Sequence, residues 1–218
     1  MVSNCFVSNF FNHHQQPLSD AFFSKLGDGY LFIETEEMSY ERKNMKWGIA
    51  AYPPYVITCQ MFHDNKKMYT DLIDQADVVI YGSAPNGLFR QRLKSNRVTF
   101  RYSERPLKKG LQLWKYPFRF LKWHLNYSEK QKHYLLCASA YAAKDFSKFL
   151  MFRGKCYKWG YFPKTYRYDN LDRLIQSKTK NTIIWVARFL ELKHPEIAVE
   201  IGKRLRQNGY SFENGSAE

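Results

Sequence analysis

The sequence offers little that points across a membrane or out of the cell. None of its apolar stretches approaches the roughly 20 residues a spanning helix needs. The N-terminus carries no basic region followed by an uninterrupted apolar run. A cytoplasmic location is the expectation. Cysteines are few: Cys5, Cys59, Cys137 and Cys156 lie far apart, each in or beside an apolar run, with no CxxC pair. They read as reduced core thiols and not as disulfides or zinc ligands. In that compartment the Asn-Tyr-Ser and Asn-Gly-Ser triplets at Asn126 and Asn214 carry no glycosylation meaning.

Several chemistries lack their signatures. No GxGxxG follows the first strand pattern, and GxxxxGK[ST], HExxH and GxSxG are missing, which sets aside dinucleotide binding, P-loop hydrolysis, zinc proteolysis and serine-hydrolase chemistry. No Asp-x-Asp pair is present to hold a metal on a nucleotide sugar, so neither a metal nor another cofactor is expected. Acidic residues are also scarce, 20 against 34 Lys plus Arg, for a formal net charge of +14. The resulting positive field favours anionic partners such as nucleic acid, anionic lipid or phosphorylated metabolites.

What is present is core material and a repeating pattern. Hydrophobic residues make up 44% of the chain and aromatics 17%, ample apolar area for a core. β-branched and aromatic runs at Cys5 to Phe10, Tyr30 to Glu34, Tyr55 to Cys59, Asp77 to Tyr81, Val98 to Tyr102, Tyr134 to Ala138, Cys156 to Tyr161 and Thr182 to Ala187 alternate with helical patterns. That alternation predicts an α/β fold with a parallel sheet. Leu18, Phe22 and Leu26 would line one face of a helix behind Pro17. Ser139 would cap a helix with Ala143, Phe146 and Phe149/Leu150 inward. Pro195 would open another, ended by Asn208-Gly209. Residues 1–163 form the expected first domain, and the polar stretch 164–181 reads as a linker. Residues 182–218 read as the incomplete start of a second domain: one strand, one helix and a tail without strand pattern.

The most informative segment runs from Ile183 to Glu196, IIWVARFLELKHPE. It reads as a buried strand delivering Arg188 at its carboxyl end, then Lys193, then a helix N-terminus. Two cations and a helix dipole at that place suit an anionic diphosphate, and they would stabilise the charge that develops on a departing nucleotide.

Here the chain resembles the family-four glycosyltransferases of the GT-B fold, particularly those of capsule and cell-surface polysaccharide synthesis. Supporting segments are Asn9 to Gln15 after the first strand, Phe32 to Glu36 with Glu41-Arg42, and Lys158 to Pro163 before the hinge. The resemblance implies a Rossmann-like acceptor-side domain followed by a truncated nucleotide-sugar-binding domain. It also implies retaining, metal-independent transfer from a nucleotide-diphosphate sugar to a saccharide or lipid-linked acceptor. Arg188 and Lys193 match the family's pyrophosphate contacts, with Ala187 where Gly is usual. The family's donor-binding Glu pair has no counterpart, so this chain alone is expected to be inactive.

For His13 and His14 two readings stand: proton handling or acceptor binding, since neutral imidazole accepts a proton near pH 7, or flanking a helix start. Asn12 and Gln15 are candidate acceptor-binding neighbours. Glu104 is a candidate catalytic carboxylate, or else an ion pair with Arg105. Between Arg105 and Lys132 eight Lys/Arg face a single acid, Glu129, and interleave with Leu, Trp and Phe. The segment reads either as contacting an anionic membrane surface or as a half-buried helix solvated by its basic side chains. The competing class is a non-enzymatic basic α/β domain that binds nucleic acid or another anionic polymer. It lacks an RNP-like or helix-turn-helix pattern.

Overall fold

The structure, a computed structural model, describes residues 2–45, 47–126, 132–178, 182–187, 189 and 191–217. The chain divides into two compact units, Met1–Lys164 and Thr165–Glu218. In the first the elements run β1 (Asn4–Ser8), α1 (Gln16–Leu26), β2 (Tyr30–Glu34), α2 (Tyr40–Asn44), β3 (Val56–Ile57), α3 (Cys59–Asp64), α4 (Lys66–Gln75), β4 (Val78–Tyr81), α5 (Arg90–Lys94), β5 (Val98–Ser103), α6 (Tyr116–Asn126), β6 (His133–Cys137), α7 (Ala142–Ser147) and β7 (Cys156–Lys158). Its seven strands form one parallel sheet in the order β3-β2-β1-β4-β5-β6-β7. The fold is an open, Rossmann-like α/β sheet.

Strand alternation explains which residues each face buries. Cys5 and Val7 of β1, Ile33 of β2 and Val79 and Tyr81 of β4 pack with Phe62, Tyr69, Ile73 and Leu93 of α3, α4 and α5. Further along the same face, Leu135 of β6 meets Phe146 and Phe149, with Tyr116, Phe120 and Trp123 of α6 against them. On the opposite face Phe6 and Phe32 stack at 5.2 Å beneath Leu18, Phe22 and Leu26 of α1. The stripe expected behind Pro17 is thus the packing face of α1. Beyond α1 this face holds a cavity of about 280 Å³ lined by Phe22, Ile80, Phe100, Leu136 and Trp159, among others.

The amino ends of the central strands are tied by one residue. Arg92 of α5 is fully buried. Its guanidinium donates to the carbonyls of Ile73, Asp74, Ala76, Asp77 and Val98 at 2.6–3.3 Å, and Nε donates to Thr99 Oγ1 at 3.0 Å. It thereby satisfies carbonyls at the end of α4 that the helix itself cannot.

Two helix expectations need adjustment. Ser139 does not cap α7: its Oγ accepts from Tyr141 N at 3.3 Å, and the helix begins at Ala142 with no side-chain cap. The helix also stops at Ser147, so Phe149 is buried from the following turn while Leu150, at φ 58°, is 44% exposed.

The second unit contains α8 (Leu171–Gln176), β8 (Thr182–Val186), α9 (Pro195–Gln207) and β9 (Glu213–Ala217), with β9 parallel to β8. The tail read as patternless is therefore a strand. Asn214, Gly215 and Ser216 have poor strand propensity, and pairing with β8 overrides it. α8 lies within the stretch read as a linker. Among the described residues of this unit only Gly202 is buried, and Ile184, Val186, Ile197 and Val199 are all more than half exposed.

Candidate functional site

The strand order reverses between β1 and β4, so the crevice where open α/β sheets take ligands lies at the carboxyl ends of these two strands. The loop that follows β1 is held by its own polar groups. Asn12 is buried; its Oδ1 accepts from His14 N at 2.9 Å, and its carbonyl accepts from Gln15 N and Gln16 N. This Asx-type turn feeds α1, whose first turn carries Pro17. Phe11 anchors the loop from below, its ring 4.7 Å from Phe32 and its N–H donating to Glu34 Oε1 at 2.6 Å.

From this loop a row of side chains crosses the strand ends. Gln15 Nε2 donates weakly to Ser8 Oγ at 3.4 Å, while Gln15 Oε1 is buried with no hydrogen-bond donor among the described residues. Next comes Gly82, just past β4. A Cβ there would lie 3.3 Å from both Ser8 Oγ and Tyr102 Cδ1, so glycine keeps this approach open. Tyr102 meets Tyr161 edge-on at 6.1 Å. The Tyr161 hydroxyl donates to Glu104 Oε1, and Lys108 Nζ binds Glu104 Oε2 at 2.5 Å. Burial, reinforced by the Glu104 carboxylate, pushes the Tyr161 hydroxyl above its ordinary pKa and keeps it a donor. Arg105 bonds the buried Asp145 carboxylate at 2.9 Å.

His13 is exposed and His14 half-buried, their rings 3.9 Å apart and both edge-on to Trp47 at 6.0 and 5.6 Å. The Arg42 guanidinium lies over Trp47 at 5.5 Å and over Phe10 at 4.8 Å. Burial first, and the charge of His13 second, lower the His14 pKa. At neutral pH His14 is therefore an uncharged imidazole able to accept a proton.

Glu34, at the end of β2, occupies the place where dinucleotide-binding sheets present an acid to a ribose. Here it serves the backbone instead. Its carboxylate accepts from Phe11 N, from Cys59 N at 3.2 Å and from Tyr52 Oη at 3.3 Å. Burial nonetheless raises its pKa above 4.5.

Of the expected site residues, Asn12, His13, His14 and Gln15 share one loop, and Glu104 is linked to them through Ser8, Gly82, Tyr102 and Tyr161. Lys193 belongs to the second unit. It is exposed, ends a short 3-10 turn and stands two residues before the first residue of α9. Arg188 lies outside the described residues. Among the described residues no group of three His, Cys, Asp or Glu is arranged to hold a metal ion. Ser8, Trp47, Gly82, Tyr102 and Tyr161 were not legible as site residues. The one local signal was a glycine directly after a strand pattern, at Gly82. No protein-family model matches the chain, and no curated protein matches it.

Proposed function

We propose that the chain is the acceptor-side part of a GT-B-type glycosyltransferase that acts in cell-surface polysaccharide synthesis. The observation that carries this reading is Gln15 Oε1, a buried neutral acceptor without a donor at the switch point of the sheet. A saccharide hydroxyl is the complementary group: an uncharged donor on a ring that also packs against aromatic edges, as Trp47, Tyr102 and Tyr161 would provide. The neutral His14 imidazole and the Asn12-held turn add polar groups suited to orienting hydroxyls. In this reading Lys193 and the N-terminus of α9 hold the donor diphosphate; Arg188, the other cation expected from the sequence, lies outside the described residues.

The reaction breaks the bond between the sugar's anomeric carbon and the diphosphate oxygen and forms one to the acceptor hydroxyl oxygen. The hydroxyl proton passes to the departing phosphate, and the protein's cations stabilise the charge left there. No protein nucleophile is required.

Amide NMR titration tests the assignment. Neutral pyranosides should shift His14, Gln15 and Gly82, and a nucleoside diphosphate should shift the first turn of α9, Glu196 and Ile197. If neither ligand moves its set, while an oligonucleotide binds with an affinity that collapses as salt rises, the nucleic-acid reading replaces this one.

A further inference from the structure

Helix α6 is apolar on two opposite sides. Tyr116, Phe120 and Trp123 form one stripe at helical spacing and pack against Phe146 and Phe149, with His124 Nε2 on the Phe149 carbonyl at 2.9 Å. The side facing away should therefore be polar. Instead it carries Phe118, Leu121 and Leu125, 75%, 60% and 71% exposed, and the preceding turn adds Leu113 and Trp114, 77% and 72% exposed. Three large apolar side chains on one helix face, with two more exposed in the turn before it, exceed the scattered exposure of an ordinary monomer face.

Charge selects the occupant. From Arg105 to Asn126 there are six Lys/Arg and no acid. Lys109 and Lys122 are exposed, and Lys115 Nζ lies 4.3 Å over the Trp114 ring, the cation above an indole that itself points outward. Apolar side chains for the acyl boundary, rimmed by lysines and an interfacial tryptophan, match an anionic lipid surface. At eleven residues α6 is about half the length a crossing would need, so it can lie in the interface but not span.

We infer that the outer face of α6, with Leu113 and Trp114, docks the protein onto an anionic bilayer surface. Phe118, Leu121 and Leu125 enter the acyl boundary, and the flanking lysines meet lipid phosphates. This stands apart from the sugar-transfer reading, since it uses none of the side chains at the strand ends.

Vesicle co-sedimentation of the full chain tests it, comparing phosphatidylcholine alone with phosphatidylcholine mixed with phosphatidylglycerol. The chain should sediment only with the mixed vesicles. The double variant Phe118→Ser/Leu121→Ser should lower the partition coefficient roughly 100-fold, with an unchanged circular dichroism spectrum because both residues are exposed. Lys109→Glu and Lys115→Glu should each lower it more than about fivefold. Failure to sediment with either vesicle, or equal binding by the double variant, overturns the inference. So does a lipid-free dimer that the double variant converts to a monomer, which would make the face a self-association surface.

Discussion

At the amino ends of β4 and β5 the guanidinium of Arg92 is sealed from solvent and all three of its nitrogens reach oxygen acceptors. At the carboxyl ends of β1 and β2, by contrast, the buried Gln15 Oε1 has no donor, burial raises the Glu34 pKa, and burial lowers that of His14. Both ends remove polar groups from water, but every nitrogen of the Arg92 guanidinium finds an acceptor, whereas the Gln15 oxygen, like the Oδ1 of Asp74 near Arg92, finds no donor among the described residues. A buried group whose bonds are all made contributes rigidity. A buried group left incomplete at the crevice retains capacity for a ligand, at a cost in stability.

The largest expected effect lies at Arg92. Burial draws the Arg92 pKa down to about 10, so it stays charged at pH 7. Arg92→Met would remove that charge and take the donor from five carbonyls, while the Thr99 hydroxyl keeps its bond to the Arg97 carbonyl. Urea denaturation of the first unit should show a loss of about 3–5 kcal/mol, while pyranoside shifts at Gln15 persist in the protein that remains folded. A loss below about 1 kcal/mol would mean that the carbonyls find other partners, and the contrast between the two ends would dissolve.

A smaller effect, with a diagnostic pH dependence, is expected at Glu34. Gln in its place keeps one acceptor oxygen but turns an NH2 toward either Phe11 N or Cys59 N, at a cost of about 1–2 kcal/mol. Because burial raises the Glu34 pKa above its ordinary value, the native state binds that proton more tightly than the unfolded chain does. The group's contribution is fully present below the unfolded pKa of about 4.3 and is lost as pH rises through the folded value. Wild type should therefore gain on Glu34→Gln as pH is lowered from neutral toward 4. A gap that narrows instead would show that the three donors outweigh burial, making this carboxylate as well satisfied as Arg92.

The sequence disclosed the sheet better than the site. The eight expected strand patterns correspond to β1 through β8 because β-branched and aromatic residues leave a readable run, on the buried strands of the first unit and also on β8, expected as buried but with Ile184 and Val186 exposed. The third was overextended: Thr58 Oγ1 accepts from Met61 N at 3.3 Å and starts α3 at Cys59, within the expected strand. The helices α2 and α5 are only five residues long, too short to show a period. Asn12 to Gln15 are picked out because the resemblance places an acceptor-facing loop between the first strand and the first helix. Ser8, Gly82, Tyr102 and Tyr161 are not, because they converge only through the strand order β1-β4-β5 and the chain's return after β7. For Arg92, nothing local in the sequence announces that six acceptors will surround it.

The subtlest test concerns Gln15, where the sign of the effect matters more than its size. A buried acceptor that lacks a donor forfeits its hydration with nothing in return, whereas an apolar group of similar shape loses nothing. Gln15→Met keeps the length and flexibility of the side chain and removes only Oε1 and the long 3.4 Å contact to Ser8. Stability should stay level or rise by up to about 1 kcal/mol, a shift of roughly 2–4 °C in melting temperature. In the same variant the pyranoside-induced shifts at His14 and Gly82 should disappear. A destabilisation of more than about 1 kcal/mol would place a bound water or another donor on Oε1, and Gln15 would then belong with Arg92 among the residues that hold the fold. A neutral or stabilising change that leaves saccharide binding intact would separate the incompleteness of this end from ligand recognition, and the acceptor pocket would have to be sought elsewhere along the row toward Tyr161.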